Sequence, residues 1–328
     1  MTHDGGHSHS GKTGLVIFIV IVAAALGIAA LSIVGTKTTV RRTRSDKKHI
    51  SSEYVAVLSV TGVIMEDGSE YNQDWLLDTV DMLKQDKKNR GIFLYVDSPG
   101  GSVYETDEAF LALRDYAAAK PVRAHFGRIA ASGGYYIACA ARRISANRNT
   151  LTGSIGVIAG QSVDLTELME RFGVKVTTIT AGSNKNMFGF DSPLTGEQRA
   201  IMQSLADECY DQFVGIVAAA RGMTDGEVRK IADGRIYTAK QALGIRLIDE
   251  IASYDDALDG FIAEISDSGS TKKVETKTFE YEPKQRLSEW LSKKAALVLR
   301  SAAGIASLDT VFEKIAPGIS FPAYYCQR

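Results

Sequence analysis

Cysteine is nearly absent. The 328 residues hold three, Cys139, Cys209 and Cys326, odd in number and far apart. That spacing offers no C-x-x-C metal site and no disulfide framework. Histidine is scarce as well: of five, His3, His7 and His9 sit in the polar first dozen residues, at a spacing that fits no defined metal site. Those residues read as a solvated tail, 1–13. Charge of one sign is missing too, with 38 Lys and Arg against 39 Asp and Glu. Without a basic excess to neutralise phosphates, nothing points to nucleic acid. No Walker or Rossmann glycine signature appears, so no nucleotide, cofactor or metal is expected. No internal repeat is visible either.

One long apolar run is present. Gly14–Val34 is 21 apolar or small residues interrupted only by Ser32. At 1.5 Å per residue it is long enough for a ~30 Å hydrocarbon layer. It exceeds a signal-peptide apolar region and no strong cleavage site follows, so it reads as a retained single-pass anchor. Lys37, Arg41, Arg42, Arg44, Lys47 and Lys48 fill a basic linker, 35–51. On the positive-inside rule that run holds the carboxyl side in the cytoplasm, although long domains translocate despite it.

Residues 52–266 read as one folded α/β domain. Tyr54–Val60 alternates as a strand does, and Asp74–Lys87 has helical spacing. Gly91–Val96 is a continuous apolar run of the kind a doubly covered strand shows. Asp97–Gly101, DSPGG, reads as a sharp break, with a helix over Glu105–Ala119 and a strand over Val122–Phe126. Further strands are expected within Ile144–Ser154 and over Ile155–Ile158 and Lys175–Thr180, with a short helix over Asp164–Phe172. A long amphipathic helix spans Thr195–Ala220, and Thr224 with Glu227 makes a capping box. Alternating strands and helices argue for a largely parallel sheet, with ligands beyond the carboxyl ends of its strands. Residues 267–328 read as a linker, an amphipathic helix over Lys284–Ser301 and an aromatic end without assignment.

The chain is arranged around Gly127–Ala140, GRIAASGGYYIACA. Ser132 sits between small residues at a strand-to-helix junction, where a hydroxyl can face a cleft and helix-start amides can hold negative charge. Small residues also let a helix pack close to a sheet, and both readings stand. A serine nucleophile needs a base and oxyanion donors. His125, on the strand, reads more simply as a packed side chain, and AASGG is not the G-x-S-x-G elbow. A desolvated lysine also serves, since burial lowers its pKa from ~10.4 toward ~7–8. Lys185 stands alone among neutral residues from Val176 to Phe190. By itself it is equally an exposed loop lysine.

DSPGG (97–101), AASGGYYIA (130–138), LTGSIGV (151–157), the Lys185 loop and IADGRIYTAKQALGIRLIDEI (231–251) together resemble the signal peptide peptidase A family, peptidase family S49. The likeness runs over about Tyr54–Ile265. It implies the ββα spiral of the crotonase/Clp-protease superfamily. It also implies a Ser132 nucleophile and a Lys185 general base, with Ser154 holding the lysine and Gly101 and Gly133 as backbone oxyanion donors. A ring-shaped homo-oligomer acting on apolar peptides such as spent signal peptides is implied too, with the catalytic domain outside the cytoplasm. The basic run at 37–48 points the other way. The rival readings are an acyl-CoA enzyme of the same fold and an inactive membrane scaffold.

Overall fold

The computed structural model describes residues 52–267, 274–283 and 323–325. The expected anchor at 14–34, the basic linker and the helix expected at 284–301 lie outside the described residues. Among the described residues no helix is long and apolar enough to cross a membrane.

Strands β1 (Tyr54–Ile64), β2 (Asn89–Ser102) and β3 (Val122–Ala131) run parallel at the centre of one sheet. Val55, Ala56, Leu58, Ile92, Phe93 and Leu94 are fully buried there. Unbroken apolar runs are what strands covered on both faces need. Helix α1 (Gln73–Gln85) connects β1 to β2, and α2 (Val103–Ala117) connects β2 to β3. Parallel neighbours require such crossovers. Asn72 caps α1 by accepting the Trp75 N–H at 2.9 Å, and Leu76, Val80 and Leu83 bury its inner face.

Two features differ from the sequence reading in ways that build the site. DSPGG does not break the strand, because β2 stays extended through it to Ser102. The irregularity is absorbed instead by register shifts against both neighbours, with Gly62 and Gly100 at φ 74° and 102°. Strand β3 also divides its partners. Arg123–Phe126 pairs with β4 (Arg143–Ala146), whereas Ile129–Ala131 pairs with β5 (Leu151–Gly153). At the fork the Thr150 hydroxyl donates to the Gly127 carbonyl at 2.6 Å.

Strand β6 (Ile236–Thr238) edges β5, and β7 (Glu250–Ile251) edges β4. Past residue 266, β8 (Glu275–Phe279) joins the sheet beside β1. Helix α8 (Tyr254–Asp267) covers one face through Ala257, Phe261 and Ile265, which pack on Val55, Val57 and Phe93. On the other face lies α3 (Gly133–Ala138), buried throughout.

Residues 155–158 and 175–180, expected as strands, form none. A strand needs a neighbour for its ladder, and Ile179 is 94% exposed. Ile155 is buried all the same, at 1% exposed, whereas residues 156–180, with α4 (Thr166–Arg171), are half-buried or exposed throughout. Helix α5 (Gly196–Arg221) begins with a Thr195–Gln198 capping box and ends on left-handed Gly222. Its buried residues, Phe213, Val214, Val217 and Ala218, all belong to its last turns. Leu205, earlier on the same helix, is exposed. Helix α6 (Asp225–Arg229) has the Thr224–Glu227 box its sequence announces, and α7 (Ala239–Gly244) completes the set.

Candidate active site

Ser132 follows β3 directly and precedes α3, at φ 53° and ψ −119°. A residue with a Cβ pays about 1–3 kcal/mol for such a backbone. Among the described residues three non-glycine positions have positive φ: Ser132, Ser154 and Arg246. Two of the three are therefore serines joined through one peptide, since the Ser132 N–H donates to the Gly153 carbonyl at 2.8 Å. Strain held at adjacent serines, where glycine would relieve it, points to work done by their hydroxyls. Ser132 is 1% exposed, and its hydroxyl makes no capping bond to α3.

The small neighbours of Ser132 do pack closely, so the packing reading of AASGG also holds. A Cβ on Gly134 would lie 2.6 Å from the Ser98 carbonyl oxygen, which seats α3 on DSPGG. Tyr135 and Tyr136 anchor the helix. The Tyr135 hydroxyl donates to the Leu247 carbonyl at 2.8 Å, and that of Tyr136 to Asp107 at 2.6 Å. As first-turn residues, Gly133 and Gly134 have N–H groups with no intrahelical acceptor.

Gly101 lies across from Ile64 in the β1–β2 ladder. A Cβ there would overlap the Ile64 carbonyl, so only glycine permits this approach. Gly101→Ala is expected to cost about 3 kcal/mol or more, read as a lowered urea midpoint, and to displace the DSPGG backbone. Asp97, a residue whose role the sequence did not reveal, ties DSPGG to the approach to Ser132. Its carboxylate accepts from Arg128 Nε at 2.8 Å and from the Ile129 N–H at 3.2 Å.

Gly101, Ser132, Gly133 and Ser154 thus share one end of the sheet. Lys185 is not joined to them. It is exposed in the 181–191 loop, where its N–H donates to the Gly182 carbonyl at 3.2 Å. The loop itself is well tied. Asn186 donates to Asp191 at 2.9 Å, and Thr178 donates to the same carboxylate at 2.7 Å.

A family model described as Peptidase family S49 matches residues 114–264. The "Putative signal peptide peptidase SppA" of Enterococcus faecium is 34% identical over 274 residues, 80% of this chain and 75% of that protein. The "Putative protease slr0021" of Synechocystis sp. is 39% identical over 203 residues, 62% of this chain and 71% of that one. The chain belongs to peptidase family S49. Among solved structures, the S49 chain is similar to a point mutant of the "1510-N membrane-bound stomatin-specific protease", at 16% identity and TM-score 0.45. That match covers 70% of this chain and 99% of the other.

In the S49 chain His125 is structural. It lies on the α8 face of β3, 2% exposed, and its ring contacts Phe93, Tyr95 and Tyr254. The Ser145 hydroxyl donates to the Ala124 carbonyl at 3.1 Å. That hydroxyl therefore accepts the Nδ1–H of His125, 2.9 Å away. Burial first, and Arg123 second, depress the imidazole from 6.5 to about 4. A depressed folded pKa means the unfolded chain takes the proton first. Stability is then complete above pH 6.5 and falls by about 3 kcal/mol as pH drops to 4. Urea unfolding should show this slope in the native chain and a flatter one in His125→Asn.

The third strand-edge element was not legible in the sequence. β9 (Ala323–Tyr325) pairs antiparallel with Gly100, Gly101 and Ser102. Beyond Ser98 the β3 strand has left β2 to form the serine junction, and β9 takes the vacated edge. The sequence reading left this aromatic end without assignment. Among the described residues, no three His, Cys, Asp or Glu side chains group as metal ligands do.

Proposed function

We propose that this serine peptidase is anchored by residues 14–34, with its catalytic domain on the extracytoplasmic face. It cuts extended apolar peptides, spent signal peptides above all, with Ser132 as nucleophile and Lys185 as general base. The observation that carries the reading is the strained, buried Ser132 between two glycine-bearing backbone segments, DSPGG and Gly133–Gly134. A parallel sheet with helices between its strands supports the ββα spiral of the crotonase/Clp-protease superfamily.

The chemistry follows from the residues. Neutral Lys185 Nζ takes the Ser132 Oγ proton as Oγ attacks the peptide carbonyl, and the Gly101 and Gly133 N–H groups face the oxyanion. The lysine passes that proton to the leaving amine, then activates the water that hydrolyses the acyl-enzyme. Ser154 holds the lysine in line. An ammonium gives up its proton near neutral pH only when desolvated, and one chain leaves Lys185 exposed. A second copy supplies the cover. Phe172, Val174, Val176 and Ile179, next to the lysine loop, are 76%, 52%, 42% and 94% exposed. Apolar side chains gathered on one surface mark a contact with another chain, which supports the ring-shaped homo-oligomer.

The pairing of β9 supports an extended substrate, since an edge that accepts one strand accepts another. Deleting residues 323–328 should raise the initial rate on a short peptide several-fold, because a tethered strand competes at high effective concentration.

The test uses the full chain in detergent with an unstructured apolar peptide and a phosphonylating serine probe. Cleavage, with one label per chain on Ser132, supports the proposal. A folded chain that neither cuts nor labels favours the inactive scaffold. A label on another serine moves the nucleophile.

A further inference from the structure

At the end of the sheet opposite Ser132, the starts of β3 and β4 open onto a cavity of about 440 Å³. Val122, Arg123, Arg142, Arg143, Phe261 and Glu264 contribute to its wall. We infer that this cavity binds a carboxylate carried on an apolar body, of the kind that ends a short apolar peptide.

Parallel register sets Arg123 beside Arg143, and like charges directly across two strands repel. Glu250 resolves the conflict, accepting Arg123 Nη2 on one oxygen and Arg143 Nη2 on the other, the latter at 2.7 Å. With both carboxylate oxygens committed, the Nε–H of Arg123 is buried without a partner. That side chain is 7% exposed and forms part of the cavity wall. A buried charged donor left unmade is costly, and it is strongest toward an anion.

Arg142, on the turn before β4, is exposed and has no ion-pair partner among the described residues. The acids nearby are already engaged. Asp249 accepts Arg221 Nη1 at 3.1 Å and Nη2 at 2.7 Å, and the Ile144 N–H at 2.7 Å. Glu264 is not free either. Three arginines, 123, 142 and 143, thus line the cavity with two carboxylates, 249 and 264, and behind them Arg221 and Glu250 add one charge of each sign.

One monoanion balances that excess. A dianion such as phosphate would meet three carboxylates with its second charge. Val122 and Phe261 give the apolar wall, and the volume lies in the small-ligand range of ~300–1,000 Å³. From Arg123 to Ser132 is nine residues of strand, about 30 Å at ~3.3 Å each, so the site is separate from the chemistry. It stands without the peptidase reading, because its test measures binding alone.

Full-length Ser132→Ala is titrated by calorimetry with N-acetyl-leucine, with its carboxamide and with inorganic phosphate. The expected result is one N-acetyl-leucine per chain in the millimolar range, no binding of the carboxamide, and phosphate at least about tenfold weaker. Arg142→Gln, at an exposed position, is expected to weaken N-acetyl-leucine about tenfold without moving the melting temperature. Arg123→Lys, where it folds, removes the Nε–H and should abolish binding. Equal affinity for acid and amide overturns the proposal, as does phosphate binding as well as the acid. So does binding that Arg142→Gln leaves untouched, or no binding at all.

Discussion

Ser132→Ala is expected to lower kcat/KM for an apolar peptide by about 10⁴-fold or more, and Lys185→Ala is expected to fall to the same floor. The equality matters more than either number. Two groups that act as one unit do not lose activity independently, so the double variant should be no worse than either single one. Ser132→Ala also keeps the strained backbone, because alanine still carries a Cβ at φ 53°. Its folding should therefore match the native chain, and circular dichroism with a melting curve checks that the loss is chemical. Ser132→Gly provides the contrast: inactive, yet more stable by about 1 kcal/mol as the strain is released. Should Lys185→Ala keep native activity, the base assignment fails. His125 could not then replace it, since it is locked against Ser145 on the other face of the strand.

The fold and site were legible to different depths. The continuous apolar run at 91–96 marked β2 because burial on both faces leaves a direct signature, whereas β1, read as an alternating strand over 54–60, is buried on both faces at Val55–Leu58. The capping box at Thr224 gave one helix start to the residue, since the cap is a local bond. DSPGG misled for a local reason. Proline and two glycines ordinarily end a strand, but here bulges on both neighbours keep β2 extended, and only the close approach of Ile64 explains Gly101. The strands expected at 155–158 and 175–180 failed because a short run of strand-forming residues does not name the neighbour its ladder needs. Asp97 and β9 were invisible, as both act through partners distant in sequence. Lys185 is proposed from the resemblance alone, because an exposed loop lysine has no local mark of function.

The exposed arm yields the other large effect. Phe172→Glu and Ile179→Glu are each expected to dissociate the proposed assembly and to reduce peptide cleavage about 100-fold or more. Each chain should remain folded, since these side chains are 76% and 94% exposed and hold no core together. Sedimentation would show a shift to single chains with an unchanged far-ultraviolet spectrum. A large loss of activity in a folded single chain means that Lys185 is desolvated by a neighbour rather than by its own fold. Mixing separates the two ways this can happen. If the lysine of one copy serves the serine of the next, Ser132→Ala and Lys185→Ala chains assembled together recover activity. With equal amounts and random placement, about a quarter of the sites pair an intact serine with an intact lysine. Recovery near that fraction establishes service across copies. An assembled mixture with no activity instead shows that each lysine turns back to its own serine, and the neighbour's part is then only to exclude water. Glutamate variants that stay assembled and active would remove the arm from the mechanism altogether.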